Sequence, residues 1–365
     1  MPLKLCYILP KYDSRDATHF AHIHDFLKVV SKDIDICLFV EKGDPPPESL
    51  GYKKVSRALL PWGILRFFET FFMFIFIRFS GYKTFYVHYS FSSAFAASII
   101  TKIFGGKVFY WNCGEPWKYK RSFYREFFER VTYKLIDHLV TGAPSLADKY
   151  SSVYGINRES IKIMPNWIDL NRFTPKGKRD EVRGKIGVPK DAKLVLFVHR
   201  LSKRKGADLI LPVIEKLLDK IPDVYIAVAG EGPEKENIKN SADKDSLLSG
   251  RVKLLGTVPN SEIPGLFEAS DAFLIPSREE GFPRVLLESW AMGVPAVAAD
   301  VGAVRDIVPK ERHDFVVEEG DIAGFANALV EAFVMDGEIE KKLLRGYTEK
   351  YDLLKAAKQF IGLFA

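Results

Sequence analysis

The sequence predicts an α/β protein with two halves, each built on a doubly wound parallel sheet. Short apolar runs of strand length alternate with amphipathic stretches of helix length, and the alternation starts again after the middle of the chain. The 365 residues suffice for two separate cores. With 47% apolar and 27% charged residues, the composition excludes a disordered or fibrous chain.

The first half opens with a strand, a helix and a strand, which make one βαβ unit. Asp16 is placed to cap the first helix. Alternation of this kind indicates parallel strands joined by crossover helices. The predicted strands are residues 4–10, 33–41, 83–89, 107–111 and 137–142, and the predicted helices are 17–30, 92–104 and 121–135.

The second half follows residues 165–185, whose Pro, Asn, Gly and charged residues predict a connector between domains. We therefore expect two Rossmann-like domains, residues 1–168 and 169–349, that face each other across a cleft. Ligands of open α/β sheets bind beyond the carboxyl ends of the strands, so the loops there and the cleft are the expected site. The predicted strands of this half are 193–199, 223–230, 251–256, 271–276 and 294–300.

The net charge of +6 is unevenly distributed along the chain. Residues 1–163 hold 23 Lys and Arg against 15 Asp and Glu, whereas the remainder holds 30 against 32. The basic half indicates an anionic partner, which would be nucleic acid, a phospholipid surface or a phosphorylated substrate. Ordinary solvated charge explains the same excess, because the cations are dispersed.

Three cysteines, Cys6, Cys37 and Cys113, are odd in number, far apart in the sequence and without metal-binding spacing. They are typical of a reducing compartment, and we expect a cytoplasmic protein. The apolar run before Pro10 is too short for a signal sequence, and nowhere do about 18 uncharged apolar residues follow one another.

A cluster of cations follows the strand at 193–199. The sequence HRLSKRKG places Arg200 and Lys205 in a loop before the next helix. Arginine presents a planar fork to phosphate oxygens and lysine a mobile point charge, so the pair suits a diphosphate. Taken alone, the loop is equally explained as a solvated turn.

Two carboxylates lie on either side of a strand-to-helix break in PSREEGFPRVLLESWAMGVP, residues 276–295. Glu280 falls in the loop and Glu288 in the helix, which we expect to begin near Pro283, with this proline in its first turn and Gly293 at its C-terminal cap. The amides that would offer an anion site at the helix N-terminus are those of Gly281, Phe282 and Arg284.

The setting of these carboxylates favours hydrogen bonds from sugar hydroxyl groups. A general acid and base pair, as in a glycoside hydrolase, is the competing chemistry, and a solvated helix face is the structural alternative. Two further loops carry glycine after a buried strand, Gly230 and Gly232 in one and Gly302 in the other. They either admit a ligand close to the backbone or form plain turns.

The segments HRLSKRKGADLI, VAGEGPEKENI, VKLLGTVP, FLIPSREEGFPRVLLESWAMGVPAVAADVGAVRDIV and PNWIDLNRF together resemble the retaining GT-B glycosyltransferases of the glycogen-synthase-like and mannosyltransferase-like group, family 4, with its E-x7-E motif. Their order and spacing match over residues 160–330. The resemblance implies a GT-B fold, a UDP- or GDP-linked nucleotide-diphosphate sugar as donor, retention of anomeric configuration and no metal cofactor.

The resemblance also assigns roles to residues. Cys113 stands where many members carry a histidine beside the transferred sugar, and His199 stands where they carry glycine. The implied donor contacts are Arg200 and Lys205 on the diphosphate, Glu280 on the transferred sugar, Glu288 on the ribose and Val258 in the segment that meets the base.

Two segments concern the N-terminal domain and its partners. Residues 61–83 are apolar except for one side, and they predict either a helix packed inside the domain or an interfacial helix on an anionic membrane. The closing segment, about residues 350–365, predicts an amphipathic helix that by the resemblance crosses back onto the N-terminal domain.

The leading hypothesis is a metal-independent retaining hexosyltransferase that uses a nucleotide sugar and acts on a glycan or a lipid-linked glycan, without a nucleic-acid partner. Two alternatives are open at this point. One is a sugar phosphorylase or a nucleotide-sugar epimerase on the same fold, and the other is a donor-binding module without transfer activity.

Overall fold

The computed structural model describes residues 2–12, 21–43, 52–60, 63–335 and 337–365. The chain divides into two compact units, the first comprising residues 1–165 with 354–365 and the second residues 166–353. The predicted cap at Asp16 and the start of the first helix lie outside the described residues.

The first unit contains one parallel sheet, with the strand order β3-β2-β1-β4-β5-β6-β7 in the described residues. The strands are β1 (Leu3–Leu9), β2 (Ile34–Val40), β3 (Lys54–Arg57), β4 (Thr84–His88), β5 (Lys107–Trp111), β6 (His138–Thr141) and β7 (Ile161–Ile163). The helices are α1 (Ala21–Val30), α2 (Gly63–Phe79), α3 (Phe91–Phe104), α4 (Phe123–Leu135) and α5 (Pro144–Tyr154).

The second unit contains a parallel sheet with the order β10-β9-β8-β11-β12-β13. The strands are β8 (Lys193–Val198), β9 (Val224–Ala229), β10 (Val252–Gly256), β11 (Ala272–Ile275), β12 (Ala296–Ala299) and β13 (Val316–Val317). The helices of this unit are α6 (Arg179–Ile186), α7 (Ile210–Leu218), α8 (Lys235–Lys244), α9 (Ile263–Ala269), α10 (Arg284–Ala291), α11 (Val304–Ile307), α12 (Ile322–Val334) and α13 (Glu338–Thr348). The last helix, α14 (Leu353–Gly362), belongs to the first unit.

In each sheet the first strand of the sequence, β1 or β8, is an interior strand, and later strands are added on both sides of it. This is the Rossmann arrangement. The central strands are apolar because helices cover them on both faces; in β1, for example, the last five residues are all buried. The predicted pair of doubly wound parallel sheets is therefore confirmed. The strands that the sequence did not predict, β3, β7 and β13, have only two to four residues each.

The predicted connector at 165–185 is wrong in its second part, where α6 begins. Arg183 is completely buried, and its guanidinium donates hydrogen bonds to the carbonyl oxygens of Ala269 and Ala192 at 2.8 and 2.7 Å. It also pairs with Asp271 at 2.7 Å. The charge that indicated a linker instead satisfies buried backbone carbonyls of the second unit.

The helix that closes the chain, α14, packs into the core of the first unit. Phe360 is 1% exposed, and its ring centroid lies 4.8 Å from that of Tyr86 and 5.2 Å from that of Phe26. None of the helices in the described parts of the chain could span a bilayer.

Truncating Phe360 should destabilise the first unit, because the cavity left among these aromatic rings cannot close completely. We expect Phe360→Ala to lower the free energy of unfolding of this unit by ~3–5 kcal/mol. Leu354→Ala, at an exposed position of the same helix, should change it by less than ~0.5 kcal/mol. Urea unfolding would measure both, and equal losses would contradict the packing described.

Candidate functional site

The two loops that carry the predicted polar residues lie on either side of the switch point of the second sheet. β8 and β11 are neighbours, but β8 continues to β9 on one side and β11 continues to β12 on the other. Ligands of such sheets bind in the crevice that this reversal leaves at the carboxyl ends of the strands. We call residues 199–206 and 276–283 the switch-point loops.

A buried ion pair joins the two switch-point loops. Lys205 Nζ donates to Glu280 Oε1 at 2.7 Å and to the carbonyl oxygen of Glu279 at 3.2 Å. The side chains of Lys205 and Glu280 are each only 6% exposed. The hydroxyl of Ser277 donates to the same Oε1 at 2.8 Å, and His199 Nε2 lies 3.7 Å from it.

These contacts determine the charge of Glu280. Burial by itself would raise the pKa of this carboxyl, but the nearby Lys205 and His199 and the hydrogen bonds from Lys205 and Ser277 hold the pKa below its ordinary value. The amide of Arg200 donates to His199 Nδ1 at 2.8 Å, which leaves Nε2 to carry the ring proton toward Glu280. Glu280 is thus an ionised hydrogen-bond acceptor at neutral pH rather than a proton donor.

The structure separates the two cations that the sequence paired as diphosphate ligands. Lys205 is engaged with Glu280, whereas Arg200 is exposed at the end of β8. Within the described residues the Arg200 guanidinium has no hydrogen-bond partner. Arg200, unlike Lys205, is therefore exposed and can meet an incoming anion directly.

The helix α10 begins at Arg284, in agreement with the predicted start near Pro283. Pro283 has extended backbone angles and is the N-cap, so its predicted place in the first turn is wrong. Gly293, with φ of 74°, follows the last turn. The amides of Gly281 and Phe282 have no hydrogen-bond partner among the described residues, and they precede the N-terminus of the helix.

Glu288 lies one turn into α10 and is 7% exposed. Its Oε1 accepts a hydrogen bond from Arg284 Nη2 at 2.7 Å. The sequence indicated Arg284 only for its backbone amide, but its side chain also contacts the predicted site residue Glu288. The carbonyl oxygen of Phe282 accepts a hydrogen bond from Asn166 Nδ2 at 2.9 Å, a contact between residues 116 positions apart that no local motif could have predicted.

The glycines of the neighbouring loops bring protein backbones together. A Cβ at Gly302 would stand 1.7 Å from the carbonyl oxygen of Glu280, and a Cβ at Gly230 would stand 1.9 Å from that of His199. No larger residue fits at either position without moving the backbone. Both positions thus require glycine, because the loops are in contact there.

Val258, the residue predicted to lie near the base, is partly buried in the loop after β10.

Further contacts join the loop at 276–283 to residues in and just after the loop at 199–206, and the sequence did not predict them. Arg278 forms a two-pronged ion pair with Asp208, with distances of 2.7 and 2.8 Å. The backbone amide of Arg278 also donates to the carbonyl oxygen of Arg204 at 3.0 Å. The Ser-x-x-Glu spacing of Ser277 and Glu280 was a local signal for the serine contact, but no such signal exists for Asp208.

Cys113 belongs to the first unit, where it follows β5 and is 1% exposed. Burial raises the pKa of its thiol to about 12, while the Thr141 hydroxyl, 3.9 Å from Sγ, opposes this rise. The thiol is therefore neutral at physiological pH. It cannot exchange a proton as the imidazole that the resemblance places there would.

The first unit has its own switch point between β1 and β4, and Tyr89 follows β4 there. Tyr89 has a positive φ of 59°, which is strained for a bulky side chain. The residue is 43% exposed, and its ring packs edge-on against Trp111, with 4.7 Å between centroids. The sequence did not indicate Tyr89, because strain at a single residue leaves no pattern.

The second unit has a counterpart among known families. Residues 178–346 match the family model described as glycosyl transferases group 1. A galactosyltransferase of Escherichia coli, named UDP-Gal:alpha-D-GlcNAc-diphosphoundecaprenol alpha-1,3-galactosyltransferase, is 30% identical over 51% of this chain and 50% of its own. The D-inositol 3-phosphate glycosyltransferase of Mycolicibacterium smegmatis is 31% identical over 55% of this chain and 46% of its own. The second unit is thus similar to group 1 glycosyl transferases. The chain spans about half the length of the curated relatives it matches.

Solved structures extend the likeness of fold to the whole chain. HepE of Anabaena in complex with UDP superimposes with a TM-score of 0.77 at 17% identity, covering 100% of this chain and 99% of that one. Sucrose-phosphate synthase of Thermosynechococcus elongatus gives a TM-score of 0.79 at 18% identity over 99% and 98%. The predicted GT-B class, with two Rossmann-like parallel-sheet domains, is confirmed.

Removing the lysine of the buried ion pair should destabilise the second unit in a pH-dependent way. In the wild type the depressed pKa of Glu280 adds stability above the ordinary carboxyl pKa, and this stability is lost as the pH falls through the folded-state value. Lys205→Met leaves a buried, unpaired carboxylate, which we expect to cost ~3–5 kcal/mol at neutral pH and less near pH ~4, where it can be protonated.

Urea unfolding at the two pH values would measure this difference. Lys203→Met replaces an exposed lysine of the same turn and is the matched control, with a change below ~0.5 kcal/mol at both pH values. A loss for Lys205→Met that does not depend on pH would contradict the ionised state of Glu280.

Proposed function

We propose that the chain transfers a hexose from a nucleotide-diphosphate sugar to a hydroxyl group of a glycan or a lipid-linked glycan, with retention of anomeric configuration and without a metal ion. One observation carries the proposal. A buried carboxylate that is ionised, Glu280, lies at the switch point next to an exposed guanidinium and to unpaired amides at a helix N-terminus. A sugar joined to a diphosphate matches both features. Its hydroxyls can donate hydrogen bonds to the carboxylate, and its phosphates can bind the guanidinium and the amides.

The donor assignment follows from this division of charge. Arg200 and the amides of Gly281 and Phe282 would bind the diphosphate, because a planar cation and a helix N-terminus both favour phosphate oxygens. Glu280 would accept hydrogen bonds from hydroxyls of the transferred sugar, and Lys205 would keep it ionised. We place the ribose at Glu288 and the base near Val258. UDP is the favoured nucleotide, because the Escherichia coli relative is named for UDP-Gal and structural neighbours were solved with UDP or UDP-glucose.

In the proposed reaction the bond between the anomeric carbon and the diphosphate oxygen breaks, and its electron pair leaves with the diphosphate. The acceptor hydroxyl oxygen bonds to the same face of that carbon, and its proton passes to a departing phosphate oxygen. Arg200 and the helix N-terminus stabilise the charge that develops on the diphosphate, the task that a divalent ion performs elsewhere. No residue need act as general base in this step. The contacts of Lys205 and Ser277 are to Oε1 of Glu280, so its other oxygen is left to accept from the sugar.

A lipid-linked acceptor is part of the proposal. The Escherichia coli relative is named for an acceptor on diphosphoundecaprenol. The first unit carries the excess positive charge of the chain. Positive charge attracts an acceptor that bears a diphosphate or lies among anionic phospholipids. Tyr89, strained and partly exposed at the switch point of the first sheet, lies where a ligand of that unit is expected.

Donor binding and turnover test this assignment together. We expect a UDP-sugar to raise the melting temperature more than a GDP- or ADP-sugar, because a ligand that binds only the native state stabilises it. Arg200→Ala should lower the rate of UDP release from the preferred donor by about two to three orders of magnitude, since it removes a donor to the developing phosphate charge.

Arg204→Ala is the matched control, because this arginine lies in the same turn and is half exposed, yet has no assigned contact to the donor. It should retain most of the turnover. If Arg200→Ala kept full turnover, or if none of the nucleotide sugars stabilised the protein, the proposed donor site would be wrong.

A further inference from the structure

One face of α2 presents large apolar side chains to solvent. At 3.6 residues per turn these positions fall within a single arc of about 120° around the helix. Their exposed fractions range from 52% for Leu65 to 76% for Ile64. The six residues of this arc are Ile64, Leu65, Phe68, Phe72, Phe76 and Phe79.

The opposite face of α2 fixes the orientation of the helix. Phe74 and Ile77 are buried in the core of the first unit, and the Phe74 ring lies 5.0 Å from that of Phe39 and 5.5 Å from that of Phe85. The helix is thus packed against the domain on one side only. The sequence offered two alternatives, a helix packed inside the domain and an interfacial helix. The first explains the buried face of α2 but not its exposed face.

Charged residues of α2 do not interrupt the exposed arc. Glu69 lies beside it, and its carboxylate accepts hydrogen bonds from the amides of Leu59 and Leu60 at 2.7 and 2.9 Å. Arg66 donates to the carbonyl oxygen of Leu60 at 2.8 Å, and Arg78 donates to those of Phe104 and Gly105. The neighbouring charges therefore serve backbone groups at the two ends of the helix.

The exposed arc continues over the two adjacent helices. Phe95 of α3 contacts Phe67 of α2 at 6.3 Å between centroids and Phe128 of α4 at 5.8 Å, so the three helices lie side by side. Further exposed residues are Ile103 and Phe104 on α3 and Phe123, Tyr124, Phe127 and Phe128 on α4. We call these six, with the six of α2, the apolar surface. Contiguous exposure on this scale is unusual for a protein surface that only faces water.

Positive charge accompanies the apolar surface at α4. Lys120 and Arg125 are exposed, and they flank Phe123 and Tyr124 in the sequence. The acidic residues of this helix are already paired, Glu126 with Arg130 and Glu129 with Arg121. The exposed aromatic residues are therefore accompanied by cations that have no acidic partner among the described residues.

We propose that the apolar surface docks on an anionic lipid bilayer, with α2 lying in the plane of the interface. Phenylalanine and tyrosine rings suit the boundary between headgroups and acyl chains, and lysine and arginine beside them attract anionic lipid. A second copy fits less well, because a symmetric contact would bring the same cations against each other. The purpose of the surface rests on the proposed function, since a lipid-linked acceptor is presented at a bilayer, but docking itself requires neither donor nor transfer.

Flotation with vesicles tests the surface directly. The full chain should float with vesicles of phosphatidylcholine containing about 30% phosphatidylglycerol, and less with phosphatidylcholine alone or at high salt. The triple variant Phe68→Ser, Phe72→Ser, Phe76→Ser should lose at least about tenfold in vesicle partitioning. The matched control replaces three exposed apolar residues of the second unit, Leu247→Ser, Val334→Ser and Ile339→Ser, and should float like the wild type.

A labelled variant reports insertion at a single position. All three native cysteines are buried, so Phe72→Cys supplies an exposed thiol for an environment-sensitive dye. Its emission should shift to the blue when anionic vesicles are added, because the dye enters an apolar medium. The same dye at Val334→Cys should show no shift.

Several results would overturn the proposal. Absence of flotation of the wild type at low salt would do so, and so would equal flotation of the wild type and the Phe68, Phe72 and Phe76 variant. Self-association that this variant abolishes, without vesicle binding by the wild type, would assign the surface to a second copy. Donor stabilisation, measured on the same preparations by thermal shift, distinguishes failure of docking from failure of the proposed function.

Discussion

The ion pair between Lys205 and Glu280 is the interaction on which the rest of the candidate site depends. It joins loops that are 75 residues apart in the sequence and adjacent at the switch point of the second sheet. Two charges removed from water are tolerated only when each has its partner and further hydrogen bonds, and Ser277 and the carbonyl of Glu279 supply these. Loss of either partner would leave a buried charge, so the pair holds the loops in one arrangement before any ligand arrives.

This arrangement explains why the two predicted phosphate ligands differ in their surroundings. Lys205 is buried against Glu280 and keeps its carboxylate ionised, whereas Arg200 is exposed after β8. The glycines of the neighbouring loops allow protein backbones to meet, with Gly302 against Glu280 and Gly230 against His199. The site is therefore organised in advance, which is what electrostatic stabilisation of a leaving group requires.

Much of this could be predicted from the sequence, because parallel sheets covered on both faces produce apolar runs and place polar residues after them. That rule found the loops of Arg200, Lys205 and Glu280. It did not find the partners, since the contact of Asn166 with Phe282 and the pair of Arg278 with Asp208 arise only when distant segments fold together. The connector was misassigned for a related reason, because nothing in the sequence distinguishes a solvated arginine from one that satisfies buried carbonyls. The sequence left two alternatives open for α2, since an apolar helix has the same composition whether it faces a core or a bilayer.

We propose that Glu280 recognises the sugar half of the donor and not the nucleotide. Calorimetric titration of UDP and of the preferred UDP-sugar into the wild type and Glu280→Gln tests this most directly, because glutamine retains an oxygen that can accept from Lys205 and Ser277 but carries no charge. We expect the affinity for UDP to be unchanged. The affinity for the UDP-sugar should fall by about tenfold or more, because a hydrogen bond to a charged group is lost. An equal loss of affinity for both ligands would contradict the claim.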